Sequence, residues 1–219
     1  MIPTVITIMK NCNVNYATEL DRIIGSLDHR PGLLLHCCCA PCSSYCLIYL
    51  LPYFDITCYY YNPNITDEDE YIKRYDELVR LAGAINGEYL TGNDRSDIKV
   101  INGEYEPGRF ISAVEGSDLS SQPEGGSRCE MCFGMRLGKT YETALAGGFE
   151  YFTTTLTISP LKNARLINSI GYSLQEVPEG PGWLPSDFKK KDGYKQSIEL
   201  SRKYDLYRQN YCGCMYSKS

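Results

Sequence analysis

Eight of the eleven cysteines in this chain fall into three tight groups: Cys37, Cys38, Cys39 and Cys42, then Cys129 and Cys132, then Cys212 and Cys214. Adjacent cysteines such as Cys37-Cys38-Cys39 do not suit disulfide geometry. An odd total in a chain of 219 residues, 43% of them apolar, is also not a staple set for a core too small to fold alone. Thiolates drawn together from distant segments suit a metal centre, so the fold must bring these three segments to one place. Reduced thiols agree with the start of the chain. Residues 1–10 show no basic region ahead of their short apolar run and no small-residue cleavage site after it. No stretch approaches the roughly 18 consecutive apolar residues of a membrane span. A cytoplasmic protein with no membrane partner is expected.

The pattern between the cysteines predicts alternating strands and helices. Residues 16–27 have helical spacing. Leu33-Leu34-Leu35-His36 is a short apolar run after Pro31-Gly32 and reads as a buried strand. A helix is expected over 42–51, a strand over 54–61, and a helix from the acidic Thr66-Asp67-Glu68-Asp69 through Leu81. Glu88-Tyr89-Leu90 reads as a third strand. Residues 116–128 form a Gly/Ser/Pro-rich mobile loop that delivers Cys129 ahead of a helix over 132–146. A strand follows over 151–157, an irregular stretch over 181–185, and a charged helix over 195–207. This alternation argues for an α/β fold with a parallel sheet flanked by helices. Residues 1–30 read as an N-terminal extension and 31–219 as a single α/β domain. In such sheets ligands bind where strands end and helices begin, and the first cysteine group starts directly after the first strand.

In Cys38-Cys39-Ala40-Pro41-Cys42, Pro41 suits the first turn of a helix. The thiols then sit at a helix N-terminus, where free amides and the macrodipole favour thiolate, the form that binds metal. Cys129-Glu130-Met131-Cys132 is a C-x-x-C unit, which alone fits zinc, a redox dithiol or an iron–sulfur cluster. Cys212-Gly213-Cys214 is a C-x-C pair. Seven motif thiols exceed one tetrahedral zinc and fall short of two all-cysteine sites. A four-thiolate cluster beside a second metal with an open position accounts for the number. Cys12, Cys46 and Cys58 lie outside the motifs and read as packing residues, Cys37 faces away from Cys38 along the strand, and His36 reads as a packed residue.

Taken together the motifs resemble those of the QueH-type epoxyqueuosine reductases. His36-Cys37-Cys38-Cys39-Ala40-Pro41-Cys42 is similar to the family's opening signature. Glu124-Gly125-Gly126-Ser127-Arg128-Cys129-Glu130-Met131-Cys132-Phe133 with Arg136-Leu137 is similar to its central segment. Leu206-Tyr207-Arg208-Gln209 and Tyr211-Cys212-Gly213-Cys214 are similar to its close. Tyr61-Asn62-Pro63-Asn64-Ile65, Thr154-Thr155-Leu156, Ser159-Pro160 and Asp187-Phe188-Lys189-Lys190-Lys191 fall in the expected order between them. The resemblance covers about residues 33–217 and leaves residues 1–30 out. It implies a Rossmann-like, HUP-type parallel sheet related to nucleotide-binding enzymes that modify tRNA. It implies two-electron, cobalamin-independent reduction of epoxyqueuosine to queuosine at the tRNA wobble position, using a [4Fe–4S] cluster and a second, mononuclear iron. On that resemblance Cys38, Cys39, Cys129 and Cys132 hold the cluster, and Cys42, Cys212 and Cys214 hold the second iron. Some relatives carry Asp where this chain has Cys42.

Such a reaction needs two electrons from a donor protein or small reductant, a proton supply and a Lewis acid. Tyr211, Tyr216 and Lys162 are candidate proton sources. The net charge of −5 hides an asymmetry, because residues 189–219 carry +5 and the rest −10. Lys189, Lys190, Lys191, Lys195 and Arg208 are the candidate contacts to tRNA phosphates, and tyrosines near the site are candidates to stack on the base. An iron–sulfur tRNA thiolation enzyme is the alternative. It would place an S-G-G-x-D-S pyrophosphate loop after the first strand, where this chain has Cys38-Cys39-Ala40-Pro41-Cys42-Ser43-Ser44. A zinc-stabilised binding module is a second alternative, which the thiol count disfavours.

Overall fold

The computed structural model describes residues 14–89, 96–175 and 177–217. These form five strands and seven α-helices: α1 Tyr16–Gly25, β1 Gly32–His36, α2 Ala40–Leu50, β2 Asp55–Tyr60, α3 Glu68–Tyr89, β3 Lys99–Asn102, α4 Pro107–Gly116, α5 Ser127–Ala146, β4 Tyr151–Thr154, α6 Ala164–Ser173, β5 Gly182–Trp183 and α7 Gly193–Lys203. The sheet order is β3-β2-β1-β4-β5 and every pairing is parallel. This is the doubly wound, Rossmann-like arrangement. The chain first adds strands on one side of β1 (β2, then β3) and then returns to the other (β4, then β5), so the switch point lies between β1 and β4. Leu34 is level with Thr57 on β2 and with Phe152 on β4, and His36 is level with Thr154.

Burial on both faces explains why β1 is a continuous apolar run rather than an alternating one. Its period-two geometry divides the core into two layers. Leu33, Leu35 and Cys37 face one layer with Leu47, Leu50, Phe54, Cys58, Tyr60, Leu78 and Leu81. Leu34 faces the other with Tyr61, Leu137, Phe152, Ile167 and Trp183. Leu20 of α1 is also part of the first layer. On the second, Gly171 lets α6 approach β5. A Cβ there would stand 2.2 Å from the Trp183 ring, so no larger residue fits without moving the helix.

Several elements differ from the sequence expectation. Glu88 and Tyr89 are the last turn of α3 rather than a strand, and Leu90 lies outside the described residues. The third strand is instead Lys99–Asn102. Within the stretch expected to be irregular, Gly182 and Trp183 add a two-residue edge strand beside β4. Strand β4 stops at Thr154 because that side chain accepts from Leu156 N–H and starts a 3-10 turn over Thr155–Ile158. Helix α5 begins at Ser127, so Cys129 and Cys132 sit inside its first turns rather than ahead of it. Helix α7 ends before Tyr204 in a Schellman-type turn: Asp205 has φ +49° and Leu206 N–H donates to Ser201 C=O.

Candidate metal centre at the sheet switch point

The C-terminal ends of β1 and β4 are where the three cysteine segments meet. Cys37 leaves β1 with its N–H on the Tyr59 carbonyl. Cys39 is then the N-cap of α2 in an extended conformation, with Pro41 in the first turn. Its carbonyl accepts from Ser43 N–H at 3.1 Å and Ser43 Oγ at 2.8 Å. This turn brings the sulfurs of Cys38, Cys39 and Cys42 within 4.8 Å of one another, a group that can hold a metal ion. Hydrogen bonds from the Cys39 and Cys42 thiols, and then the Lys162 and Arg136 cations, hold the Cys38 thiol well below its ordinary range. The hydrogen bond to Cys38, then burial and the charge on Cys38, push the Cys39 thiol up to about 11. One thiolate backed by two thiols is the state a metal would complete, since binding removes the remaining protons.

Cys129 and Cys132 arrive on α5. The loop ahead of it is gathered by buried Arg128, which donates to the carbonyls of Leu119 at 3.2 Å, Ser120 at 3.0 Å and Gln122. Gly125 N–H then donates to Cys129 Sγ at 3.2 Å, a backbone hydrogen bond onto a prospective ligand. Burial pushes the Cys132 thiol up to about 11, against the lowering effect of the Arg136 guanidinium one turn later. Helix α4, not anticipated from the sequence, supplies Phe110 and Val114 to a small apolar cluster with Cys132 and Cys214. Pro107 at its start and the i, i+4 pair Phe110 and Val114 are the signals that mark it.

Cys212 and Cys214 are fastened by groups from the segment after β2 and from α3. Asn64 Nδ2 donates to Cys212 C=O at 3.1 Å. Arg74 of α3 donates to the carbonyls of Cys212 at 3.3 Å and Tyr211 at 3.4 Å, and pairs with Glu70 at 2.6 Å while only 2% of its side chain is exposed. Between the thiols, Gly213 has φ +96°, and a Cβ there would meet Ile65 Cγ1 at 2.6 Å. Hydrogen bonds from Cys214 and Ser217, with Lys162 nearby, bring Cys212 down to about 5, and Cys214 is correspondingly raised.

Two adjoining cavities collect these groups. One, of about 100 Å³, is lined by Cys129, Cys132, Cys212 and Cys214 with Asn64 and Arg128. The other, of about 400 Å³, is lined by Cys38, Cys42 and Cys212 with Arg208 and Tyr211. Arg136, Leu161 and Lys162 line both. The residues fit a thiolate-held metal centre on two counts. The donor set is rich in soft sulfur, and the buried Asn64 Oδ1 beside it has no hydrogen-bond partner among the described residues. His36 is fully buried, with Nδ1 2.7 Å from Thr154 Oγ1 and Nε2 3.1 Å from Tyr61 C=O. Burial, then Arg136, holds it neutral at about 3. Cys37, Cys46 and Cys58 are buried core residues, and Cys12 lies outside the described residues.

Of the basic residues, Arg208 lines the larger cavity and donates to Ser201 Oγ. Lys195 is exposed on α7, whose neighbouring Tyr194 and Ser197 line that cavity. Lys189 is paired with Asp187 and Lys191 with Asp21. Lys190 and Lys191 border a shallow hollow against α1. Asn64, Thr155 and Arg136 fall in segments that carry the family resemblance, but sequence assigns them no role, and it does not single out Arg74 at all. Thr155 Oγ1 stands 3.4 Å from Cys38 N and 3.6 Å from its sulfur. Their common signal is a polar residue at the end of a strand or on an otherwise apolar helix face, which sequence alone does not separate from ordinary surface.

A family model described as epoxyqueuosine reductase QueH matches residues 33–219. Among curated relatives, an epoxyqueuosine reductase QueH of Staphylococcus epidermidis is 42% identical over 212 residues, covering 95% of this chain and 87% of the relative. One of Streptococcus pyogenes is 42% identical over 217 residues, with coverage of 96% and 82%. One of Thermotoga maritima is 34% identical over 188 residues, with coverage of 84% and 89%. No described helix is long and apolar enough to cross a membrane.

Proposed function

The chain belongs to the QueH family of epoxyqueuosine reductases, and from that premise we propose that it reduces epoxyqueuosine in tRNA to queuosine at the site between β1 and β4. The observation that carries this reading is the convergence of three separate cysteine segments on two adjoining cavities at the switch point of the sheet. The reaction consumes two electrons and two protons, leaves an alkene where the epoxide stood and releases its oxygen as water. When bound, a [4Fe–4S] cluster and a second iron would supply electrons singly and a Lewis acid for the epoxide oxygen, without cobalamin. Cys38, Cys39, Cys129 and Cys132 are the proposed cluster ligands, and Cys42, Cys212 and Cys214 those of the second iron. One cavity holds Cys129 and Cys132 with Cys212 and Cys214, and the other Cys38 with Cys42 and Cys212, so both proposed sets face the same space and the division itself rests on the family resemblance. With Cys38, Cys39 and Cys42 within 4.8 Å, the two centres would adjoin at this turn.

The protein's own groups orient substrate and move protons around that centre. Lys162 lines both cavities. Burial alone would lower its ammonium, but the Cys38 and Cys42 sulfurs outweigh this and hold it protonated, as a proton donor to departing oxygen must be. Leu161, 78% exposed at the mouth, offers an apolar face to an incoming base. Arg208, Lys195 and Lys190 are proposed to meet the tRNA backbone, with Lys189 and Lys191 at its margin. The electron donor is a reduced protein or small reductant reaching the open side of the larger cavity, in a cytoplasm that keeps the thiols reduced.

The test is anaerobic incubation of iron- and sulfide-loaded protein with dithionite and epoxyqueuosine-containing tRNA, followed by digestion and mass analysis of the nucleosides. A product lighter by one oxygen, absent without protein, is expected. Cluster-loaded protein that leaves the epoxide intact would overturn the proposal.

A further inference from the structure

We propose that Arg136 is the electrostatic partner of the iron–sulfur cluster: a buried cation held by neutral groups, whose charge favours the reduced cluster and raises its reduction potential. The inference rests on the reading above that a four-iron cluster is bound at this site. Arg136 lies on α5 one turn beyond Cys132 and is 3% exposed. Its Nη2 donates to Asn62 Oδ1 at 2.5 Å and its Nε to His36 Nε2 at 3.3 Å. Asn62 is itself fixed, donating to Cys37 C=O at 3.0 Å, so the guanidinium is indexed to the turn that carries Cys38.

Neither partner can carry a negative charge, since one is a carboxamide and the other an imidazole. Among the described residues no carboxylate pairs with Arg136. The contrast with Arg74 is direct: equally buried, it has Glu70 at 2.6 Å. A buried cation without a counter-ion is strongly unfavourable, so the charge Arg136 answers must come from what it faces. It lines both cavities among the thiols of Cys38, Cys132 and Cys212, and the one carboxylate in those linings, Glu124, is exposed and forms no ion pair with it. A four-iron cluster with four thiolates carries net negative charge and gains one more unit on reduction. A fixed cation in low dielectric therefore stabilises the reduced form more than the oxidised one. A purely structural role, joining α5 to the ends of β1 and β2, would need the hydrogen bonds but not the charge.

The experiment is a redox titration followed by electron paramagnetic resonance, on anaerobically reconstituted wild type, Arg136→Lys, Arg136→Gln and Asn62→Asp, with iron and sulfide counted in each. Arg136→Gln removes the charge, and Asn62→Asp neutralises it in place. Both are expected to shift the midpoint to more negative potential, while Arg136→Lys stays near wild type. Unchanged midpoints, or equal shifts in the Lys and Gln variants, would overturn the proposal. So would failure of both charge-altering variants to take up a cluster that wild type holds, since that outcome assigns Arg136 a structural role. Absence of a cluster signal in wild type would instead defeat the reading of the metal centre itself.

Discussion

Gly213 separates two thiols, has φ +96°, and leaves no room for a methyl group between Ile65 and Arg74. An alanine there must either adopt a left-handed backbone or push the Cys212 carbonyl off Asn64 and Arg74. Gly213→Ala should cost about 1–3 kcal/mol and lower the iron bound per chain, read by thermal unfolding and metal analysis. Full iron content with unchanged stability would show that the pair does not depend on this backbone. His36 illustrates the reverse case, a residue whose part is neutrality. Its folded pKa of about 3 lies below the ordinary 6.5. The unfolded chain therefore binds a proton between those values that the folded chain does not, so stability is complete above pH 6.5 and falls as pH drops toward 3. From pH 7 to pH 5 this group costs roughly 2 kcal/mol. Urea unfolding at both pH values should show that extra loss in wild type relative to His36→Gln, and equal losses would refute the assignment. The sequence marked His36 as packed, but its link to Arg136 spans a hundred residues and has no local signature.

At the scale of elements, legibility followed the strength of the local pattern. Strand β1 and helix α2 were readable because a continuous apolar run, flanking Pro and Gly, and an N-terminal Pro all agree. Strand β3 was misplaced because Glu88 and Tyr89 continue a helix whose length is set by packing of Leu78, Leu81 and Ile85, and the true strand has only half-buried or exposed side chains. Strand β5, two residues long, exists through its pairing with β4 and has no pattern of its own. The registration of α5 has functional weight. Because Cys129 and Cys132 lie within its first turns, their sulfurs are set by helix geometry and by Gly125 N–H rather than by a loop. On the proposed ligand division, Cys129→Ala loses the cluster, whereas Cys214→Ala keeps its absorbance but abolishes turnover. Equal loss of absorbance in both variants would refute that division.

At the scale of the whole molecule, the strand order explains why a chain with net charge −5 can act on a polyanion. The switch point opens the C-terminal edge of the sheet between β1 and β4, and the basic segment returns to that edge through α7 and Arg208. Sequence gave the charge asymmetry but not its distribution, because that depends on which lysines find carboxylates. Lys189 and Lys191 are neutralised by Asp187 and Asp21, whereas Lys190 and Lys195 form no ion pair among the described residues. A phosphate contact must release counter-ions to contribute, and each adds about 0.7–0.9 to the slope of log affinity against log salt. Exposed pairs such as Lys191–Asp21 hold together weakly, yet phosphate must displace the carboxylate before Lys191 can count. Lys190→Ala with Lys195→Ala should therefore reduce that slope by roughly 1.4–1.8 for epoxyqueuosine-containing tRNA. The matching Lys189→Ala and Lys191→Ala pair should change it less. Filter binding across a salt series on the unreduced, cluster-loaded protein reads both. An unchanged slope in the first pair, or a larger change in the second, would place the tRNA backbone on a different face of the molecule.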